Sequence, residues 1–215
     1  MMRPLGERCQ RTLAEPVSLA GMAYVTGERV AVTILPASPD AGVTFIRTDS
    51  VLARPIPALA EHVASAQRRT VLGRAPDQVE MVEHLLAALA GLKIDNCIVE
   101  VDGPELPALD GSADCYLRAL DEAGIALQRR PRTIWTVERP VSVGDGKSSL
   151  TFYPAQDQKL RMSYLLDYGP HTSLVRQRHT HDINPTAMHN GLADCRTFLL
   201  QHEAEHCLLI GIVST

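Results

Sequence analysis

Hydrophobic and polar residues alternate along two stretches of the chain, and this period of two predicts β-strands. In the first stretch the predicted strands cover residues 30–35, 43–47 and 97–101. A turn containing proline and glycine, residues 36–42, joins the first two of them. Beyond residue 132 the same signals predict three more strands, over residues 134–137, 150–153 and 160–164.

From Gln78 to Leu92 a period of three to four residues replaces the alternation, which predicts a helix. His84 points away from the apolar side of this helix, among small neighbours, so another element can approach it closely there. The apolar side comprises Val79, Val82, Leu86 and Leu89, with Leu85 beside them. Further helices are predicted over residues 113–123, from about Pro185, and after Arg196.

The order of strands followed by helices occurs twice, which predicts an α+β fold of two domains of similar plan. The basic, proline-containing stretch 128–132 is the predicted linker. The expected boundaries are residues 1–128 for the first domain and 133–215 for the second.

Charge and cysteine content narrow the class of protein. The net charge of -4 gives no electrostatic reason to expect nucleic acid or an anionic membrane as a partner. Five cysteines, an odd number without a CxxC pair, are typical of reduced intracellular thiols. No apolar run approaches the roughly 18 residues of a membrane span, and the first residues lack a signal core. We therefore expect a cytoplasmic protein without stable membrane insertion.

Glu83 and His84 place a carboxylate and an imidazole side by side on the predicted helix. Such a pair suits a metal ligand beside a general base, but it is also common on ordinary helix surfaces. A catalytic metal needs about two further protein ligands and one open position for water.

A second motif, His202-Glu203-Ala204-Glu205-His206, fits the H-E-x-x-H pattern of zinc metalloproteases. The few residues after His206 include no third ligand, and the neighbouring sequence fits an ordinary amphipathic helix. Two shorter patterns carry little specificity, and structural roles are the default for both: His179-Thr180-His181-Asp182 and Arg196-Thr197-Phe198. In the second, a hydroxyl beside an aromatic ring could steady an oxyanion next to a substrate groove.

Longer motifs carry a family resemblance. Residues 82–96 read Val-Glu-His-Leu-Leu-Ala-Ala-Leu-Ala-Gly-Leu-Lys-Ile-Asp-Asn, and residues 100–113 read Glu-Val-Asp-Gly-Pro-Glu-Leu-Pro-Ala-Leu-Asp-Gly-Ser-Ala. Together with Phe45-Ile46-Arg47-Thr48-Asp49 and Arg196-Thr197-Phe198, they resemble the zinc-dependent UDP-3-O-acyl-N-acetylglucosamine deacetylases of lipid A biosynthesis. The resemblance implies two α+β domains facing each other across a helical layer. It also implies hydrolysis of the N-acetyl group of a UDP-linked acylated glucosamine.

The resemblance assigns roles to individual residues. His84 matches a Zn²⁺ ligand, Glu83 matches the general base, and Thr197 matches the hydroxyl that supports the tetrahedral oxyanion. The H-E-x-x-H match is then coincidental, because its Glu203 falls on a helix facing the substrate. The substrate-binding positions are Phe198, Glu203 and Lys147. For Lys147, a solvated lysine in a hairpin turn fits the sequence as well as a phosphate contact does.

Two departures from the family pattern shape the expectation for activity. Val25 stands where family members carry a histidine, and the family continues past the position of Thr215 with segments that include its other two zinc ligands. We therefore expect a C-terminally truncated family member that is inactive or incomplete. A non-catalytic remnant that binds the nucleotide sugar, or a metalloprotease using His202 and His206, remains open as an alternative.

Overall fold

A computed structural model describes residues 1–146, 148–170, 172, 174–201 and 203–205 of the chain. The helices are α1 (Glu83–Leu92), α2 (Asp114–Ala123) and the single turn α3 (Pro185–Ala187); Ala60–His62 forms a 3₁₀ turn and Met188–Leu192 a π turn. The strands are β1 (Met2–Leu13), β2 (Val17–Met22), β3 (Arg29–Pro36), β4 (Val43–Arg47), β5 (Ile56–Pro57), β6 (Val63–Ser65), β7 (Val71–Leu72), β8 (Val79–Glu80), β9 (Cys97–Val101), β10 (Ile125–Val137), β11 (Val141–Gly144), β12 (Ser149–Phe152), β13 (Leu160–Leu166) and β14 (Gln177–Ile183). The predicted α+β class is confirmed.

A five-stranded sheet in the order β2-β3-β9-β4-β5 forms the main layer of the first region, residues 14–124. Strand β9 runs parallel to β4 and antiparallel to β3. The strands predicted over 30–35, 43–47 and 97–101 are confirmed as β3, β4 and β9. Their inward residues are fully buried because the two long helices cover the sheet, and together they form one hydrophobic core: Val32, Ile34, Phe45, Val99 and Val101 from the sheet, with Leu85, Leu89, Leu117 and Leu120 from the helices.

Helix α1 begins five residues later than the periodicity predicted. Val79 and Glu80 form β8 instead, and Met81 adopts φ of +59°, a left-handed conformation that no helix continues through. On the small-residue face of α1, Gly91 lies against the buried Met188, so the close approach expected on that face is present. In the described part of the chain, no helix is long and apolar enough to cross a membrane.

Strands β1 and β10 pair into a long antiparallel ribbon. Residues 128–132, predicted as a linker, lie inside β10, so the prediction of an irregular segment is wrong. Their polarity and proline fit a bulge, because the pairing slips between Cys9↔Pro131 and Gln10↔Gln128. The boundary between domains at this point stays a prediction.

A buried carboxylate fastens this ribbon to the first region. Asp95, which is 7% exposed, accepts two hydrogen bonds from the Arg8 guanidinium at 2.6 and 2.8 Å. It also accepts the Arg11 backbone N–H at 2.9 Å and lies 3.2 Å from the Arg132 guanidinium. Two arginines thus compensate the charge that burial would otherwise penalise.

Two hairpins, β11–β12 and β13–β14, make up the second region, residues 141–183. In β11–β12 one face carries polar pairs such as Ser142–Thr151 and the other carries apolar pairs such as Val143–Leu150. In β13 the apolar side chains of Leu160, Met162 and Tyr164 share one face. These apolar side chains stay exposed, with Val143 at 59% and Tyr164 at 66%. The strands predicted over 150–153 and 160–164 are confirmed, and the helix predicted from Pro185 is reduced to α3 and the π turn.

Candidate functional site

Glu83 and His84 are the first two residues of α1, and both are half-buried. One carboxylate oxygen of Glu83, Oε2, accepts the backbone N–H of Thr70 at 3.0 Å. A negative charge is also favoured at this end of a helix, where unpaired N–H groups point outward. The Glu83 carboxylate is therefore held in place by the Thr70 N–H while it keeps access to solvent, as a general base requires.

The loop that supplies the Thr70 N–H is itself fastened at two points. Arg69 forms a hydrogen-bonded ion pair with Glu80 of β8. Arg68 lies 3.4 Å from the carboxylate of Glu203, and Glu203 also accepts the Leu200 backbone N–H at 3.0 Å. The loop that contains Arg68 and Thr70 therefore contacts both Glu203 and Glu83.

Thr197 is held against the loop before α2. Its backbone N–H donates to the Gly111 carbonyl at 2.9 Å, and the Arg196 guanidinium lies 3.5 Å from Asp110. The Ser112 hydroxyl donates to Asp110 at 2.7 Å, and this bond is the main reason that the pKa of Asp110 lies below its usual range. Thr197 therefore takes its position from the loop 110–113.

Phe198 follows with its side chain 49% exposed. Its ring lies 6.0 Å from that of Tyr168, centroid to centroid, at an interplanar angle of 55°. This tilted geometry is typical of favourable aromatic pairs. The pair presents an apolar surface next to Thr197.

The remaining predicted site residues that the structure describes do not add a metal centre to Glu83, His84 and Thr197. In the part of the chain that the structure describes, no group of three His, Cys, Asp or Glu side chains is placed to hold a metal ion. His179 and His181 stack at 6.4 Å on β14 while Asp182 pairs with Arg161, as expected for a polar strand segment. Lys147, His202 and His206 lie outside the described residues.

Comparison with known proteins decides the family. The family model for UDP-3-O-acyl N-acetylglycosamine deacetylase matches residues 10–214. The chain belongs to this deacetylase family. It is 39% identical over 213 residues to the UDP-3-O-acyl-N-acetylglucosamine deacetylase of Myxococcus xanthus, covering 98% of this chain and 66% of that protein.

Two further deacetylases of that name show a similar extent of match. The protein from Anaeromyxobacter dehalogenans is 37% identical, covering 94% of this chain and 64% of its own length. The protein from Phenylobacterium zucineum is also 37% identical, covering 94% of this chain and 69% of its own. The chain thus spans about two thirds of the length of these relatives.

Sequence reasoning named the deacetylase-family residues but missed those that hold them in place. Thr70 acts through its backbone N–H, Arg68 through an ion pair with the distant Glu203, and Asp110 through the turn that it forms with Ser112. No local sequence pattern reveals such contacts. Glu105, between Pro104 and Pro107 in the family motif, was given no role from sequence, although its carboxylate is 1% exposed in the structure.

Proposed function

We propose that this chain carries the general-base and oxyanion part of a site that hydrolyses the N-acetyl group of UDP-3-O-acyl-N-acetylglucosamine in lipid A biosynthesis. The observation that carries the proposal is Glu83, half-buried at the start of α1 with one oxygen held by the Thr70 N–H. Membership of the deacetylase family supports the substrate class.

In this reaction water adds to the acetyl carbonyl, and the C–N bond then breaks to give acetate and the free amine. Glu83 accepts the proton of the attacking water on the oxygen that Thr70 leaves free, and gives this proton to the amine nitrogen as the C–N bond breaks. The Thr197 hydroxyl donates a hydrogen bond to the developing oxyanion. Phe198 and Glu203 line the substrate, and Lys147 contacts the nucleotide phosphates.

The described residues do not fit a complete zinc site. A catalytic Zn²⁺ takes about three protein ligands, and His84 is the one family-matched ligand among them. Zinc at His84 is therefore an expectation that metal analysis has to test. We also propose a cytoplasmic location, which the free thiols of the four described cysteines support: Cys9, Cys97, Cys115 and Cys195.

The test is acetate release from UDP-3-O-acyl-N-acetylglucosamine, with zinc per chain measured on the same samples. Glu83→Gln should lower kcat by about 100-fold or more, since general-base catalysis typically contributes that much. His84→Ala should remove bound zinc. The unaltered chain should act more slowly than the Myxococcus relative, because the described residues supply a single candidate ligand.

The chain offers a matched control. Glu61 and His62 form another adjacent Glu–His pair, 3.9 Å apart, on the exposed 3₁₀ turn. Glu61→Gln and His62→Ala should change neither acetate release nor zinc content. Equal acetate release above background by Glu83→Gln and Glu61→Gln would contradict the proposed role of Glu83. Release by the unaltered chain at the rate of the Myxococcus relative would contradict an incomplete zinc site.

A further inference from the structure

Glu105 is a deeply buried carboxylate to which the proposed reaction gives no role. Its side chain is 1% exposed. Oxygen Oε1 accepts the backbone N–H groups of Tyr24 and Val25 at 2.9 and 3.0 Å. Oxygen Oε2 lies 3.1 Å from the Val25 nitrogen and 3.3 Å from that of Thr26.

The contrast with Asp95 shows that this carboxylate is unusual. Asp95 is buried to a similar degree, but its charge is matched by the guanidinium groups of Arg8 and Arg132. Glu105 is compensated instead by three consecutive backbone N–H dipoles of one turn. Because these donors belong to the turn, the carboxylate fixes the shape and place of the backbone at residues 24–26.

The backbone of Glu105 lies between that turn and the strand leading to the candidate base. On one side the backbone N–H of Glu80 donates to the Pro104 carbonyl at 2.9 Å, and the backbone N–H of Leu106 donates to the Glu80 carbonyl at 3.1 Å. On the other side Pro107 bridges to Ala23. Residues 104–107 therefore form a connector between the two segments. The buried Tyr116 of α2 anchors its far end by donating its hydroxyl to Pro107 at 2.7 Å.

The start of α1 depends on this connector. Val82, the residue before the helix, provides no side-chain cap, and Met81 has a positive φ, so the chain turns sharply between β8 and α1. The connector holds Glu80, three residues before Glu83, at both its backbone N–H and its carbonyl.

We propose that Glu105 is a positioning residue for Glu83, coupling the turn at residues 24–26 to the start of α1 through the connector. The catalytic importance of this positioning rests on the proposed function, in which Glu83 is the general base. Its structural content, a mechanical link between two segments that do not neighbour each other in sequence, can be tested without substrate.

Amide hydrogen exchange measures that link. In Glu105→Gln the side-chain NH₂ replaces Oε2. This hydrogen-bond donor then faces the backbone N–H groups of Val25 and Thr26, which are also donors. Exchange at the N–H groups of Val25 and Thr26 should accelerate on the order of tenfold. The same factor should appear at the Glu80 and Leu86 N–H groups, the second of which donates to Val82 in the first turn of α1.

Asp95→Asn is the matched control, because it removes another buried carboxylate, whose hydrogen bonds reach neither segment. It should accelerate exchange around Arg11 and leave Glu80 and Leu86 unchanged. If Glu105→Gln loosens the turn while Glu80 and Leu86 stay as in Asp95→Asn, the link does not exist and the proposal is overturned.

A second variant decides the matter if Glu105→Gln does not fold. Gly27 has φ of +67°, so Gly27→Ala strains the same turn without touching the carboxylate. Faster exchange at Val25 together with Glu80 supports the coupling, and faster exchange at Val25 alone overturns it. Acetate release by the unaltered chain is measured separately, so failure of the proposed activity is distinguishable from failure of the link.

Discussion

The first region and the second region follow the same alternation of apolar and polar residues, yet they differ in what covers the apolar side. In β3 of the first region, Val32 and Ile34 are 0% exposed because α1 and α2 lie over the sheet. In β11 and β12 of the second region, Val143 and Leu150 are 59% and 52% exposed. Alternation therefore predicts a strand and its two faces, whereas burial depends on a covering layer elsewhere in the sequence.

The largest expected effect separates the stabilities of the two regions. Leu85→Ala removes a side chain that is 0% exposed from the core and should lower the free energy of unfolding by about 2–5 kcal/mol. Leu150→Ala makes the same chemical change on the exposed face and should cost about 0.5 kcal/mol or less. Urea unfolding of both variants measures the difference. Equal losses would mean that the face of β12 is covered in solution.

A smaller effect tests the junction where the π turn meets α1. A Cβ at Gly91 would clash with Cγ of the buried Met188, so Gly91→Ala should cost about 1–3 kcal/mol through overpacking. Adding Met188→Ala removes the clash. The double variant should therefore lose less stability than the sum of the two single variants, as a double-mutant cycle would show. Additive losses would contradict the close packing.

The smallest effect concerns pH at the Thr197 loop. Because the hydrogen bond from the Ser112 hydroxyl holds the pKa of Asp110 in the fold below its ordinary value of 3.8, ionised Asp110 stabilises the loop. This stabilisation is fully present above the unfolded pKa and is lost as pH falls through the lower folded value. Exchange at the Thr197 N–H should rise below about pH 4, relative to reference amides. Asp110→Asn should lack this rise, and a rise of equal size in that variant would assign it to another group.

Prediction from sequence succeeded where the determinant was local. Strands β3, β4, β9 and β13 follow from alternation, and α2 follows from its periodicity. The early start given to α1 failed because Val79 fits the helical stripe as well as it fits β8, and the positive φ of Met81 has no signature in a methionine side chain. The prediction of a linker failed because charged residues and proline occur both in loops and in a strand with a bulge.

The candidate site divides in the same way. Glu83 and Thr197 were found because their motifs are contiguous, and their roles stay predictions. The contacts that hold them, Thr70 on Glu83 and Gly111 on Thr197, join positions far apart in sequence through backbone atoms. Backbone donors and acceptors are present at nearly every residue, so sequence alone cannot indicate which of them meet.

The ribbon of β1 and β10 also bears on how the chain folds. Its partners are very distant in sequence: the Gln10 side chain donates to the Pro131 carbonyl across 121 positions. Closing so long a loop costs entropy before any pairing energy is gained, so this contact forms late. During synthesis, β1 has to wait on the ribosome until the whole first region and β10 have emerged.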